Sequence, residues 1–177
     1  TENSGLLNLL EIAFEKKYQF DVRIVAVGTG QAIKNAKNGN ADILFVHSVE
    51  DEISFVAEGF GVERFQVMYN DFVLVGPKND PLKLKNSINI NEALNKLKSG
   101  HTSFLSRGDN SGTHKKEIFL WNNAEIEITK EDKWYLRNGL GMGITLNMAS
   151  EIGAYTLSDR ATWLAFNNKR YLDVVFE

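Results

Sequence analysis

The sequence predicts an α/β fold in two lobes, and three observations carry that expectation. Helical and strand-like stretches alternate through the first third of the chain, the order that builds a parallel sheet covered by helices. Both prolines, Pro77 and Pro81, fall in one turn-rich stretch, where one unit gives way to another. Small polar residues and glycines stand repeatedly just ahead of helical patterns, as they do where the strands of an open sheet turn into helices.

Taken in order, Leu6, Leu7, Leu9, Leu10, Ala13 and Phe14 recur at helical spacing, with Ser4 as the N-cap and Lys16 and Lys17 at the negative end of the dipole. Residues 21–27 (DVRIVAV) alternate and are β-branched, the pattern of a strand. The turn Gly28-Thr29-Gly30-Gln31 leads into a helix that ends at Gly39. Residues 41–46 (ADILFV) form a continuous apolar run, the mark of a buried parallel strand. A helix over 50–58 stops at Gly59, and YNDFVLVG (69–76) is a strand running into the proline turn. We therefore expect a first lobe over 1–73 and a second over 74–172, with 173–177 as a strand returning toward the first.

In the second lobe the pattern gives a helix over 91–99 capped by Asn89 or Asn91, a strand over 102–105 and a helix reaching Ala124. Residues 125–133 are charged and irregular. Gly139, Gly141 and Gly143 precede a helix over 145–152, residues 155–157 are extended, and Ser158-Asp159 cap a helix over 160–166 before a closing strand, YLDVVFE. Trp121, Trp134 and Trp163 sit at apolar spacings and read as core. His47 reads as structural, and His114 as a solvent-facing residue at a helix start.

Composition narrows the function. With 177 residues and 43% hydrophobic content, the chain can bury a sizeable core. A net charge of −3 argues against nucleic acid or an anionic membrane surface as the main partner. The absence of cysteine removes disulfide, thiol and thiolate–metal chemistry. No G-x-S-x-G, H-E-x-x-H or P-loop lysine pattern occurs, and Ser111 has no evident base, so we expect no enzyme.

Residues 104–118 (FLSRGDNSGTHKKEI) carry the chemistry. A short apolar run ends in small polar residues and glycines, and a helix begins directly after. The turn leaves N–H donors unpaired at the positive end of the helix dipole, and Ser111, Gly112 and Thr113 aim amides and hydroxyls at one point. Arg107, four residues earlier, supplies a planar and permanently charged fork. Asp109 is ill suited to face an anion; its role is to pair with Arg107 and orient the guanidinium. Three further junctions share this character: residues 1–5, Gly28–Gln31 and, more weakly, Gly139–Gly143. Donors from two lobes would then line one cleft around a small anion.

These residues carry a family resemblance. TENSGLL, VAVGTGQA, ADILFVHS, YNDFVLVGPKNDP, SRGDNSGTHKKE, GMGITLNMA and GAYTLSDR occur in the order and spacing of the TupA-type tungstate-binding proteins, the extracytoplasmic solute receptors of tungstate ABC importers. The resemblance implies a periplasmic-binding-protein-like fold (type II), with a tetrahedral oxyanion held between two lobes. Carried over by position, it places the ligand on Arg107, Ser111, Gly112 and Thr113, adds Thr29 and Gly30 from the first lobe, and leaves Thr1 and Ser4 as contributors from a cradle that begins upstream. It implies no cofactor and no resident metal, an ABC permease as partner, a monomer, and a periplasmic or lipoprotein-anchored location. It also implies a segment completing the first lobe beyond Glu177. Molybdate and phosphate are the alternative ligands, and a cytosolic oxyanion-sensing domain of a transcription regulator is the alternative setting. Phosphate carries a proton at neutral pH and wants an acceptor in the pocket, whereas tungstate and molybdate want donors alone. The choice therefore turns on where Asp109 faces.

Overall fold

The structure, a computed structural model, describes residues 5–177; Thr1 and the expected cap Ser4 lie outside them. Its contacts divide the chain into two units, one of residues 9–69 and one comprising 70–177 together with the start of the first helix.

The unit of residues 9–69 carries three helices: α1 (Leu6–Tyr18, entering from its first residues), α2 (Thr29–Lys37) and α3 (Val49–Ala57). α3 has Glu50, Asp51 and Glu52 in its first turn, where the positive end of the dipole favours them. Arg64 reaches back to Glu52 at 2.6 Å, and Lys37 to Glu58 at 2.5 Å. The two expected strands do not form. Residues 21–27 and 41–46 pair with no neighbour among the described residues, and Ile43 is 82% exposed. The reason is physical. An apolar, β-branched run prefers extended backbone, but a strand exists only when an adjacent one takes up its N–H and C=O groups.

In the larger unit, β1 (Phe72–Pro77) lies between β4 (Thr156–Asp159) and β5 (Leu172–Phe176). Both pairings are antiparallel, with Leu74 opposite Leu157 and Val75 opposite Val174. Chain order alone does not show that β1 receives its neighbours from the far end of the sequence. The closing strand of the sequence reading forms as β5, hydrogen-bonded along β1 inside this unit. A second pair, β2 (Phe104–Ser106) and β3 (Tyr135–Arg137), is parallel, and Phe104 bridges in parallel to Tyr155 just ahead of β4. β3 went unread in the sequence. It is three residues long, too short for a period of two to register.

Helices cover both faces of this sheet. Leu74 and Phe104 point into a core with Leu84, Ala93, Leu94 and Leu97, closed by α4 (Ile90–Gly100) and α5 (Gly112–Asn123). Their strand neighbours Val73, Val75 and Leu105 point the other way, against Met142, Leu146, Ala149 and Trp163 of α6 (Met142–Ile152) and α7 (Arg160–Ala165). Such alternation is what a strand buried on both faces requires. The three tryptophans are core, as expected. Trp121 packs edge-on against Phe104 and Trp134 with centroids 5.2 and 5.8 Å away, and Tyr135 stacks on Phe104 at 5.8 Å. α4 is capped by Asn89, whose side chain accepts from the Glu92 N–H at 2.9 Å while Glu92 takes the Ile88 N–H at 2.8 Å. α7 is capped by Asp159. Among the described residues, no helix is long and apolar enough to cross a membrane.

Candidate oxyanion site

The loop from β2 to α5 is held by its own side chains. Gly108 has φ +60°, and a Cβ built there would lie 3.1 Å from Cβ of Arg137, so both the backbone and the space call for glycine. Asn110 follows with φ 58°, a conformation asparagine tolerates, and its N–H donates to Nδ1 of His114 at 3.0 Å. Ser111 is the N-cap of α5, its Oγ accepting from the His114 N–H at 3.3 Å.

Within this frame Arg107 donates from Nη2 to Oδ2 of Asp109 at 2.5 Å and from Nε to the carbonyl of Leu140 at 3.3 Å. The other Asp109 oxygen, Oδ1, accepts from the Ser111 N–H at 3.1 Å. Burial pushes the Asp109 carboxyl up, but its bonds to Ser111 and the Arg107 charge outweigh that and hold it below the ordinary range. Asp109 is thus ionised at neutral pH with both oxygens turned to donors of its own loop. The N–H groups of Gly112 and Thr113, at the first two positions of α5, have no acceptor among the described residues, and neither has the Thr113 hydroxyl. They stand at the positive end of the helix dipole.

The weakest of the expected junctions, Gly139–Gly143, adjoins this loop. Gly139 donates its N–H to the carbonyl of Arg107 at 2.8 Å, and Asn138 to that of Ser106 at 3.2 Å. The Asn138 side chain fixes the turn, accepting from the Leu140 N–H and donating to Thr145 Oγ1. α6 then starts at Gly141, which offers no side-chain cap. Two helix starts therefore open side by side in this unit.

In the unit of residues 9–69, Thr29 and Gly30 begin α2, preceded by the uncapped Gly28. Thr29 Oγ1 lies 3.3 Å from Nε2 of His47, which accounts for a histidine after the 41–46 run. Thr1 and Ser4 lie outside the described residues. His114 is not the solvent-facing residue expected: it is half-buried and its ring holds the Asn110 amide. The sequence reading also missed Asn138, the Leu140 carbonyl and Arg137, which support the loop from outside the motif. No group of His, Asp or Glu able to hold a metal ion occurs among the described residues.

The α/β fold is matched by the comparison with known families. The PBP superfamily domain matches residues 1–175, and the chain belongs to that superfamily. More particular relatives follow. The chain is 50% identical to the tungstate-binding protein TupA of Peptoclostridium acidaminophilum over 179 aligned positions, all of this chain and 62% of that protein. It is 41% identical to TupA of Campylobacter jejuni, over 94% of this chain and 61% of that one. It therefore spans about three-fifths of the length of these curated relatives. Among solved structures, the tungstate ABC transporter protein from Geobacter sulfurreducens superposes with a TM-score of 0.86 at 47% identity, covering 99% of this chain and 75% of that one. The tungstate-binding protein TupA of Desulfovibrio alaskensis gives 0.83 at 42% identity, covering 99% and 72%. The TupA-type kinship and the periplasmic-binding-protein-like fold drawn from the motifs are borne out.

Proposed function

We propose that this chain binds a tetrahedral oxyanion, tungstate, and delivers it to the membrane permease of an ABC importer. It carries out no chemistry on its ligand. Arg107, Ser111, Gly112 and Thr113 supply donors from one lobe, and Thr29 and Gly30 from the other. Asp109 orients Arg107 and stays off the ligand. Binding closes the two lobes about chain crossings near 70–76 and 172–176. The protein works outside the cytoplasm as a monomer, anchored there as a lipoprotein.

One observation carries the choice of ligand: both Asp109 oxygens are engaged by Arg107 and Ser111 while the Gly112 and Thr113 amides stand open. Such a site offers donors and turns its carboxylate away, which suits a fully ionised oxyanion and leaves the proton of hydrogen phosphate without an acceptor. The names of the relatives point the same way. Competitive calorimetry of the protein with tungstate, molybdate, sulfate and phosphate tests the reading. Tungstate is expected to bind tightest and phosphate weakest; phosphate displacing tungstate at equal concentration overturns the assignment.

A further inference from the structure

Glu117 is an acid for which the oxyanion site gives no role. It is 3% exposed, on the face of α5 turned into the core. Its Oε1 accepts from Trp121 Nε1 at 3.2 Å and from the Tyr135 hydroxyl, and the Ser106 hydroxyl is a polar neighbour. None of these donors brings positive charge. From its own helix the titratable neighbour is His114. From β3 come Tyr135 and Arg137, the guanidinium lying over the Tyr135 ring at 4.8 Å. β2 offers only the Ser106 hydroxyl. The buried face of α4 is Ala93, Leu94 and Leu97, and that of β4 is Thr156, Leu157 and Ser158, all uncharged.

Resting on the tungstate reading above, we propose that Glu117 takes up a proton when the dianion binds, because it lies buried about 8 Å from the ligand, one and a half turns down the helix whose start forms the site. Two physical links connect them. The first is the field of a doubly charged guest along α5, which disfavours a second negative charge in the low-dielectric interior. The second is Ser106, a polar neighbour of Glu117 whose Oγ accepts the Gly108 N–H at 3.2 Å, so it stands between the carboxyl and the Arg107 loop. Burial already holds Glu117 above the ordinary glutamate range, with Tyr135, Ser106 and Trp121 offsetting that in part. The bound dianion pushes it further in the same direction. The sign follows: below the free-state pKa the proton is already present and above the bound-state pKa it never arrives. Uptake peaks between them, and in that window affinity falls as pH rises.

The experiment is calorimetry of the full chain with sodium tungstate between pH 6 and 8.5, in buffers of differing ionisation enthalpy. Wild type is expected to take up a fraction of a proton that passes through a maximum approaching one, with affinity falling by up to about tenfold per pH unit at that maximum. Glu117→Gln, which keeps an acceptor for Tyr135, is expected to bind with no proton uptake and a flat pH profile. Tyr135→Phe removes a donor to the carboxylate, and its uptake maximum is expected at higher pH. Binding without uptake in wild type, or uptake that persists in Glu117→Gln, overturns the proposal while leaving the tungstate reading intact. Absence of tungstate binding at every pH overturns both.

Discussion

Replacing Arg107 by alanine probes the site most deeply. The Arg107 side chain is only 14% exposed, so its contact with an oxyanion is largely shielded from water. Losing one charge-assisted hydrogen bond of that kind costs about 2–3 kcal/mol. A second charge lies behind the guanidinium. Without Arg107, Asp109 keeps its charge and has only the Ser111 amide as a partner. A carboxylate about 7 Å from a dianion repels it by about 1 kcal/mol even at the dielectric constant of water, with Arg107 present or absent. The loss of about 2–3 kcal/mol from the Arg107 contact raises Kd by roughly 30- to 150-fold. The double variant Arg107→Ala/Asp109→Ala removes the stranded charge and is expected to bind roughly fivefold more tightly than Arg107→Ala alone. Calorimetric titration with tungstate at pH 7.5 reads both. A loss under threefold in Arg107→Ala removes the guanidinium from the site, and a double variant weaker than the single contradicts the role given to Asp109.

Three further variants test the frame. A Cβ at Gly76 would lie 2.2 Å from Cδ1 of the buried Tyr155, so Gly76→Ala is expected to cost about 3 kcal/mol of stability by overpacking, seen as a shifted urea midpoint; an unchanged midpoint contradicts the packing of β1. Asn89→Ala removes the cap of α4 and is expected to lower Tm by roughly 2–4 °C, about 1 kcal/mol, in differential scanning calorimetry. Because folding raises the Glu117 pKa, stability is greatest below the unfolded-state value and declines as pH climbs through the folded one. Glu117→Gln lacks that decline, so urea unfolding should find the variant gaining on wild type between pH 5 and pH 8, and a constant difference would show the carboxyl to be freely solvated.

The helices were legible because each has local punctuation. Ser111, Asn89 and Asp159 cap three of them by side chain, and Gly59 and Gly153 follow α3 and α6 with positive φ. Pairing was not legible. β1 meets β4 and β5 across about a hundred residues of sequence, and nothing in FVLVG specifies antiparallel neighbours. The apolar runs at 21–27 and 41–46 show the complementary failure: strand propensity was present, and no ladder partner occurs among the described residues. At the site, the Arg107–Asp109 pair could be read from spacing because both lie on one short loop. The support from Asn138, Leu140 and Arg137 comes from a loop thirty residues on, and the burial of Glu117 depends on β3, which left no periodic trace. Local chemistry was written in the motif, while its surroundings depended on contacts made at a distance.

The most direct measurement is anomalous scattering at the tungsten absorption edge from crystals of the protein grown with tungstate. The account places the peak at the start of α5, with oxygens of the anion about 2.7–3.2 Å from the Gly112 and Thr113 nitrogens and from the Arg107 guanidinium. A peak remote from that helix start, or one seated against the Asp109 carboxylate, contradicts it.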